Sequence, residues 1–212
     1  ASGNSDFENS YAKTIIFDYS YRWFYDDGFG KDYQILNLPK SFEETRMIFQ
    51  TACLLKFYQQ LRIYSDKKIE CQPFNLEKPL WVFVGSTVAT GKTQDEKIVA
   101  TDVAMIIDFI AKFLSKKELV CQNIESLILK SGQDTGLLDG NDADIFGDSF
   151  HYLARMLKSG KTINDLYQDI LLLLFNSKGG GQLTLERGKG ASGEIILRVG
   201  NSEAAFGLIN VG

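Results

Sequence analysis

The chain has 212 residues, 44% apolar and 24% charged, with 19 Gly and 3 Pro, the make-up of a globular protein rather than a disordered or fibrous one. Its 23 Lys and Arg against 27 Asp and Glu leave a net charge of -4, which argues against a strongly basic, autonomous nucleic-acid binder while leaving room for a local basic strip. No apolar run approaches the ~18 residues of a membrane span, and the three scattered cysteines, Cys53, Cys71 and Cys121, lack any C-x-x-C spacing; a cytoplasmic protein with reduced thiols and no membrane contact is expected.

Residues 1–10 are polar and read as an added or disordered tail. Together with the missing initiator Met and the apolar closing run Ala205–Gly212, they lead to the expectation of a piece of a larger protein. Phe17, Tyr19, Tyr21, Trp23 and Tyr25 occupy alternate positions, predicting a strand with one aromatic face. The turn-forming Asp26–Gly30 and a returning strand at Tyr33–Leu38 would complete a β-hairpin. Ser41 and Glu44 have the spacing of a capping box, which predicts a helix to about Tyr64, apolar on two sides and therefore sandwiched.

After Pro79, the unbroken apolar run Leu80–Val84 predicts a buried parallel strand. Val103, Ile106, Ile107, Ile110, Phe113 and Leu114 keep a helical period, capped by Thr101 or Asp102. Short helices are expected at Ile124–Leu129 and His151–Leu157, either side of a glycine- and aspartate-rich loop, Ser131–Ser149. Thr162 caps a helix predicted to run to Phe175, with Asp165 in its first turn and Gly179–Gly181 as its stop. Gln182–Glu186, Glu194–Val199 and Phe206–Val211 read as three short strands.

Gly85-Ser-Thr-Val-Ala-Thr-Gly91-Lys92-Thr93 lies between the predicted strand and helix, where a phosphate loop would sit. Five residues separate its glycines, whereas a Walker A loop has four so that backbone N–H groups converge on one phosphate. Gly91, Lys92 and Thr93 are therefore weak phosphate-binding candidates.

Leu76–Ser86, the Thr101-Asp-Val103 helix start, Gly193–Gly200 and Phe206–Gly212 resemble type III restriction enzyme Res subunits and related helicases. Ile15–Ser20 and Tyr25–Lys31 are similar to that family's stretch between its two motor domains, so the resemblance covers nearly all of the chain after Tyr11. It implies an α/β fold: a partial RecA-like core with an N-terminal aromatic β-hairpin and a C-terminal antiparallel β-sheet. Residues 11–75 would be an inter-domain segment, and 76–212 the start of a second RecA-like domain with a family-specific insertion. The implied parent is a DNA-translocating ATPase that uses ATP and Mg2+, acts on double-stranded DNA, and couples to an endonuclease domain and a DNA-methylating partner subunit. Gly85 and Ser86 match the family's motif IV position and, with Thr87, would touch the DNA backbone. The chain departs from the family in lacking a correctly spaced Walker A, an Asp-Glu-x-His motif and an arginine-finger helix. Those parts bind phosphate, hold Mg2+ and stabilise transferred charge, so no catalytic residue is assigned and this segment alone is expected not to hydrolyse ATP. The alternatives are a stand-alone NTP-binding domain using Gly91, Lys92 and Thr93, or a self-contained α+β protein-interaction module.

Other clusters have plainer readings. The aromatic face carries only Arg22 as a nearby cation, which suits packing better than base stacking. Asp134, Asp139, Asn141, Asp142, Asp144 and Asp148 miss the EF-hand register, because Asp144 stands where glycine is needed; a solvated acidic loop is expected, with no metal site. His151, the sole histidine, has no nucleophile beside it in sequence. Lys112, Lys116 and Lys117 complement a helix C-terminus or line a DNA-facing edge.

Overall fold

Aromatic residues at alternate positions suit a strand, yet Tyr21, Phe24 and Tyr25 are also three and four apart, the spacing of one helix face. In the computed structural model, which describes residues 19–30, 45–83, 102–130, 135–188 and 193–210, this stretch is a short helix, α1, Tyr21–Asp26. The predicted hairpin strand is thus helical there. Tyr21 packs on Phe24 and Tyr25 at ring separations of 6.4 and 6.1 Å, and Arg22 pairs with Asp26 at 3.9 Å. The amides of Phe29 and Gly30 both donate to the Phe24 carbonyl, so Asp26–Gly30 closes a helix rather than a hairpin. A Cβ on Gly30 would stand 2.7 Å from the Tyr25 Cα, so glycine alone permits this closure. The flanking positions of the hairpin, 14–18 and 31–38, lie outside the described residues.

The chain divides into two compact units, Ala1–Asn37 and Leu38–Gly212. The second is built on α2, Arg46–Asp66, which packs against α4 (Asp102–Ser115), α5 (Lys117–Leu129) and α7 (Ile163–Phe175). Between α2 and α4 come a single-turn helix α3, Lys68–Cys71, and a 3-10 turn, Gln72–Phe74; α6, His151–Lys158, packs on α5. The predicted sandwiching of α2 is met on one side: Ala52, Leu54, Leu55, Tyr58 and Leu61 are buried, whereas Phe49, Cys53 and Phe57 of the second stripe are half-buried. Ser41 and Glu44 lie outside the described residues, and Thr45 precedes α2 without a side-chain cap.

The centre of the core is aromatic. Phe113 of α4 meets Phe109, Tyr167 and Phe175 at ring separations of 6.0, 5.8 and 5.7 Å. On α7 the capping box is complete: the Asp165 amide donates to Thr162 Oγ1, and the Thr162 amide donates to Asp165 Oδ2. The helix stops at Asn176, φ 50°, whose side chain donates to the Ala205 carbonyl at 2.7 Å. The expected stop at Gly179–Gly181 is corrected accordingly. That glycine run serves a different purpose, since a Cβ on Gly181 would sit 3.0 Å from the Gly200 Cα where two backbones meet.

β1 (Leu183–Arg187), β2 (Glu194–Val199) and β3 (Gly207–Asn210) form the expected antiparallel sheet, and their order in it is β1-β2-β3. Leu185 pairs opposite Leu197, and Ile195 opposite Ile209. Leu197 and Val199 are buried, and α4 packs against β1. The chain is therefore mixed α/β, with seven α-helices and one three-stranded antiparallel sheet among the described residues. The predicted strand Leu80–Val84 has no regular structure at Leu80–Phe83, because no strand among the described residues lies beside it to complete its hydrogen bonds. No helix among the described residues is long and apolar enough to cross a membrane.

Replacing Thr162 by Ala removes the oxygen that accepts the Asp165 amide and should destabilise the chain by about 1 kcal/mol in denaturant unfolding. The Thr162 backbone N–H holds the Asp165 carboxyl below its ordinary value, and the Ala143 and Asn141 amides do the same for Asp139. A depressed native value stabilises the fold above the unfolded-state value, ~3.9, and this contribution is lost as pH falls through the native value. Acid titration of unfolding should show that loss, and Asp165→Asn should reduce it.

Candidate functional site

The predicted DNA-contact residues Gly85, Ser86 and Thr87, and the phosphate candidates Gly91, Lys92 and Thr93, all lie outside the described residues. What is described is the segment that leads into them. From α3 onward the chain exposes apolar side chains in succession: Ile69 is 85% exposed, Phe74 75% and Leu80 82%. Leu76, Val82 and Phe83 are exposed as well. Trp81 turns inward enough to be half-buried, with its ring 5.4 Å from Phe57 of α2 and 4.5 Å from Phe83. The stack Phe57–Trp81–Phe83 thus holds Trp81 and Phe83 against α2. It does so with one aromatic row, leaving Leu80 and Val82 uncovered.

A polar cluster occupies the C-terminal half of α2. Tyr58 Oη donates to Asp169 Oδ2 of α7 at 2.6 Å, and Arg62 lies 3.5 Å from the same oxygen. Arg62 also pairs with Asp66 at 2.6 Å, and Asp66 accepts from Tyr152 Oη of α6 at 2.6 Å. Burial, then the hydrogen bond to Asp169, pushes the Tyr58 phenol far up, so this hydroxyl remains a donor at neutral pH. The cluster joins α2, α6 and α7 and leaves neither carboxylate free for proton transfer.

Gln59 is the buried polar residue beside it. Its Nε2 donates to the Ser149 carbonyl at 2.9 Å, and its Oε1 accepts from the Leu153 amide at 3.4 Å. Gln59 therefore ties the aspartate-rich loop and the start of α6 to the central helix. Neither Tyr58 nor Gln59 announces this in the sequence, because a polar residue in a helix carries no mark of a partner so distant along the chain.

The aspartate-rich loop is less solvated than its composition suggests. Leu137, Ile145, Phe146 and Phe150 are buried, and Phe146 packs on Phe49 and Phe150 at 5.8 and 5.9 Å. Its acids serve the backbone: Asp144 accepts from the Thr135 amide and hydroxyl and from the Phe146 amide, and Asp139 accepts from the Asn141 and Ala143 amides. Asp134 lies outside the described residues. Among the described residues no three His, Cys, Asp or Glu groups converge as metal ligands. His151 is exposed, its Nδ1 3.1 Å from the Asp148 carbonyl. Lys112 pairs with Asp108 at 2.6 Å and Lys117 lies over the Tyr167 ring at 5.7 Å, so both have partners within the fold.

No protein-family model, curated protein or solved structure matches the chain.

Gln59→Leu strands the Ser149 carbonyl and should cost about 1–3 kcal/mol, the penalty of a buried unsatisfied group. Tyr152→Phe, on the exposed side, should cost less than about 1 kcal/mol. Denaturant unfolding of both variants checks the order. Burial pushes the Cys53 thiol up to about 11. A disulfide reagent at pH 8 should therefore label Cys53 slowly in the folded chain and rapidly in denaturant, as mapped by mass spectrometry.

Proposed function

We propose that the chain is a non-catalytic segment of a DNA-translocating, ATP-dependent enzyme of the type III restriction kind, scaffolding its motor domains and touching the DNA backbone. The observation that supports this reading is Leu80–Phe83: a strand-like apolar run, three of its four residues exposed, directly before the glycine loop. A run of this kind becomes a buried central strand once neighbouring strands lie on both sides. In this reading the rest of the parent polypeptide supplies those strands and completes a RecA-like sheet. The helical core and the three-stranded sheet are then an appended structure carried by the second motor domain. Gly85, Ser86 and Thr87 present backbone N–H groups and hydroxyls to DNA phosphates. ATP and Mg2+ belong to the parent's motor domains, and double-stranded DNA and a methylating subunit are its partners. The resemblance in Leu76–Ser86, Gly193–Gly200 and Phe206–Gly212 supplies the enzyme class.

A protein-interaction module is the second reading, favoured by Ile69, Phe74 and Leu76, which lie exposed in and beyond α3. A stand-alone nucleotide-binding domain is the third.

Thermal melts with Mg-ATP separate them. The proposal expects no rise in melting temperature and no effect of Lys92→Ala, whereas a genuine site at one hundred times its Kd would add about 2.7 kcal/mol. Lys92-dependent, micromolar ATP binding by this chain would overturn it. In the full-length parent, Ser86→Ala and Thr87→Ala should weaken DNA binding about equally across sequences, since phosphate contacts carry no base information.

A further inference from the structure

Lys56 stands on α2 one helical turn before Gln59, and its Nζ donates to Ser149 Oγ of the aspartate-rich loop at 3.3 Å. It makes no ion pair and no second hydrogen bond among the described residues. Lys56 is half-buried, whereas every other lysine among the described residues is exposed. Lys67 and Lys112 have carboxylate partners, Glu70 and Asp108. Lys56 has none, although it touches a loop rich in acids; Asp139 and Asp144 of that loop are bonded to its own backbone amides. A half-buried ammonium whose one polar partner is a neutral hydroxyl keeps part of its desolvation cost uncompensated. Burial accordingly holds the Lys56 amine below its ordinary pKa.

We propose that Lys56 Nζ is a site of acylation by small activated acyl donors of the acyl phosphate class. The lone pair of the neutral amine attacks the acyl carbon and forms the N–C bond. The bond from that carbon to the phosphate oxygen breaks, phosphate leaves with the electron pair, and the surplus proton on nitrogen goes to solvent. Half-burial desolvates the amine, which favours its nucleophilic form, and still leaves part of the side chain in solvent. The product suits its surroundings. An acylated Nζ carries no charge, so the uncompensated desolvation cost disappears, and its remaining N–H can still donate to Ser149 Oγ. Acylating Lys67 or Lys112 instead removes a charge that has a partner. The site depends on neither the glycine loop nor the proposed parent enzyme.

The test is limited acetylation of the folded chain with acetyl phosphate at neutral pH, mapped by peptide mass spectrometry and repeated in denaturant. Lys112, which is ion-paired, and Lys130, which is exposed at the end of α5, serve as internal references. The expected result is severalfold faster acetylation of Lys56 than of either reference in the folded chain. In denaturant, where the burial and the Ser149 contact are gone, the three should react at similar rates. Across a pH series the Lys56 rate should level off at lower pH than the reference rates. The proposal is overturned if Lys56 reacts no faster than Lys112 and Lys130 in the folded chain, or if the three pH profiles coincide. It is overturned equally if the Lys56 lead persists in denaturant, because neighbouring sequence rather than the fold then sets it.

Discussion

A long helix packed against three others pays for each polar group it carries inward unless that group finds a partner, and α2 finds one for all of them but Arg62 Nε. Two of its inward residues, Tyr58 and Gln59, carry hydrogen-bonding groups into the core. Their partners, Asp169 and the Ser149 carbonyl, lie 111 and 90 residues further along the chain. Meeting those two demands fixes how α7 and the aspartate-rich loop lie on α2, and the loop in turn carries α6. The aromatic cluster around Phe113 then closes the opposite side with contacts that are large in area but tolerant in direction. Polar satisfaction specifies the arrangement here, and apolar burial supplies most of its stability.

The same chain exposes, after α2, the kind of residues it buries elsewhere. Leu80 and Val82 face solvent while Leu54 and Leu55 are fully buried. Covering a side chain of this size is worth roughly 1.5–3 kcal/mol. A protein surface laid over Leu80–Phe83 thus has several kcal/mol available before any hydrogen bond forms. The Phe57–Trp81–Phe83 stack already holds this segment against α2, which lowers the ordering entropy that docking must overcome. This combination of held position and uncovered surface underlies the scaffolding role proposed above.

Elements whose signals are local were readable in the sequence. α7 was marked by Thr162 and Asp165, α4 by its apolar period, and the three strands by their spacing between glycines. Tyr21–Asp26 was misread because six residues of alternating aromatics fit both periods, and no tertiary partner in the sequence arbitrates. Leu80–Val84 was read as a strand from its composition, but a strand is defined by its neighbours, which composition does not display. The Tyr58–Arg62–Asp169 cluster was illegible for a related reason: it assembles side chains from helices far apart in the chain. Gly85–Thr87 rest on the family resemblance and Gly91–Thr93 on a loop one residue too long for a Walker A, and all six lie outside the described residues.

The most direct test of the account is amide hydrogen exchange at Leu80–Phe83, measured in this chain alone and in the full-length parent. The account predicts fast exchange in the isolated chain, where these amides lack a strand partner, and strong protection in the parent, where neighbouring strands supply one. Equal, fast exchange in both would contradict it, because the segment would then be no strand in either setting.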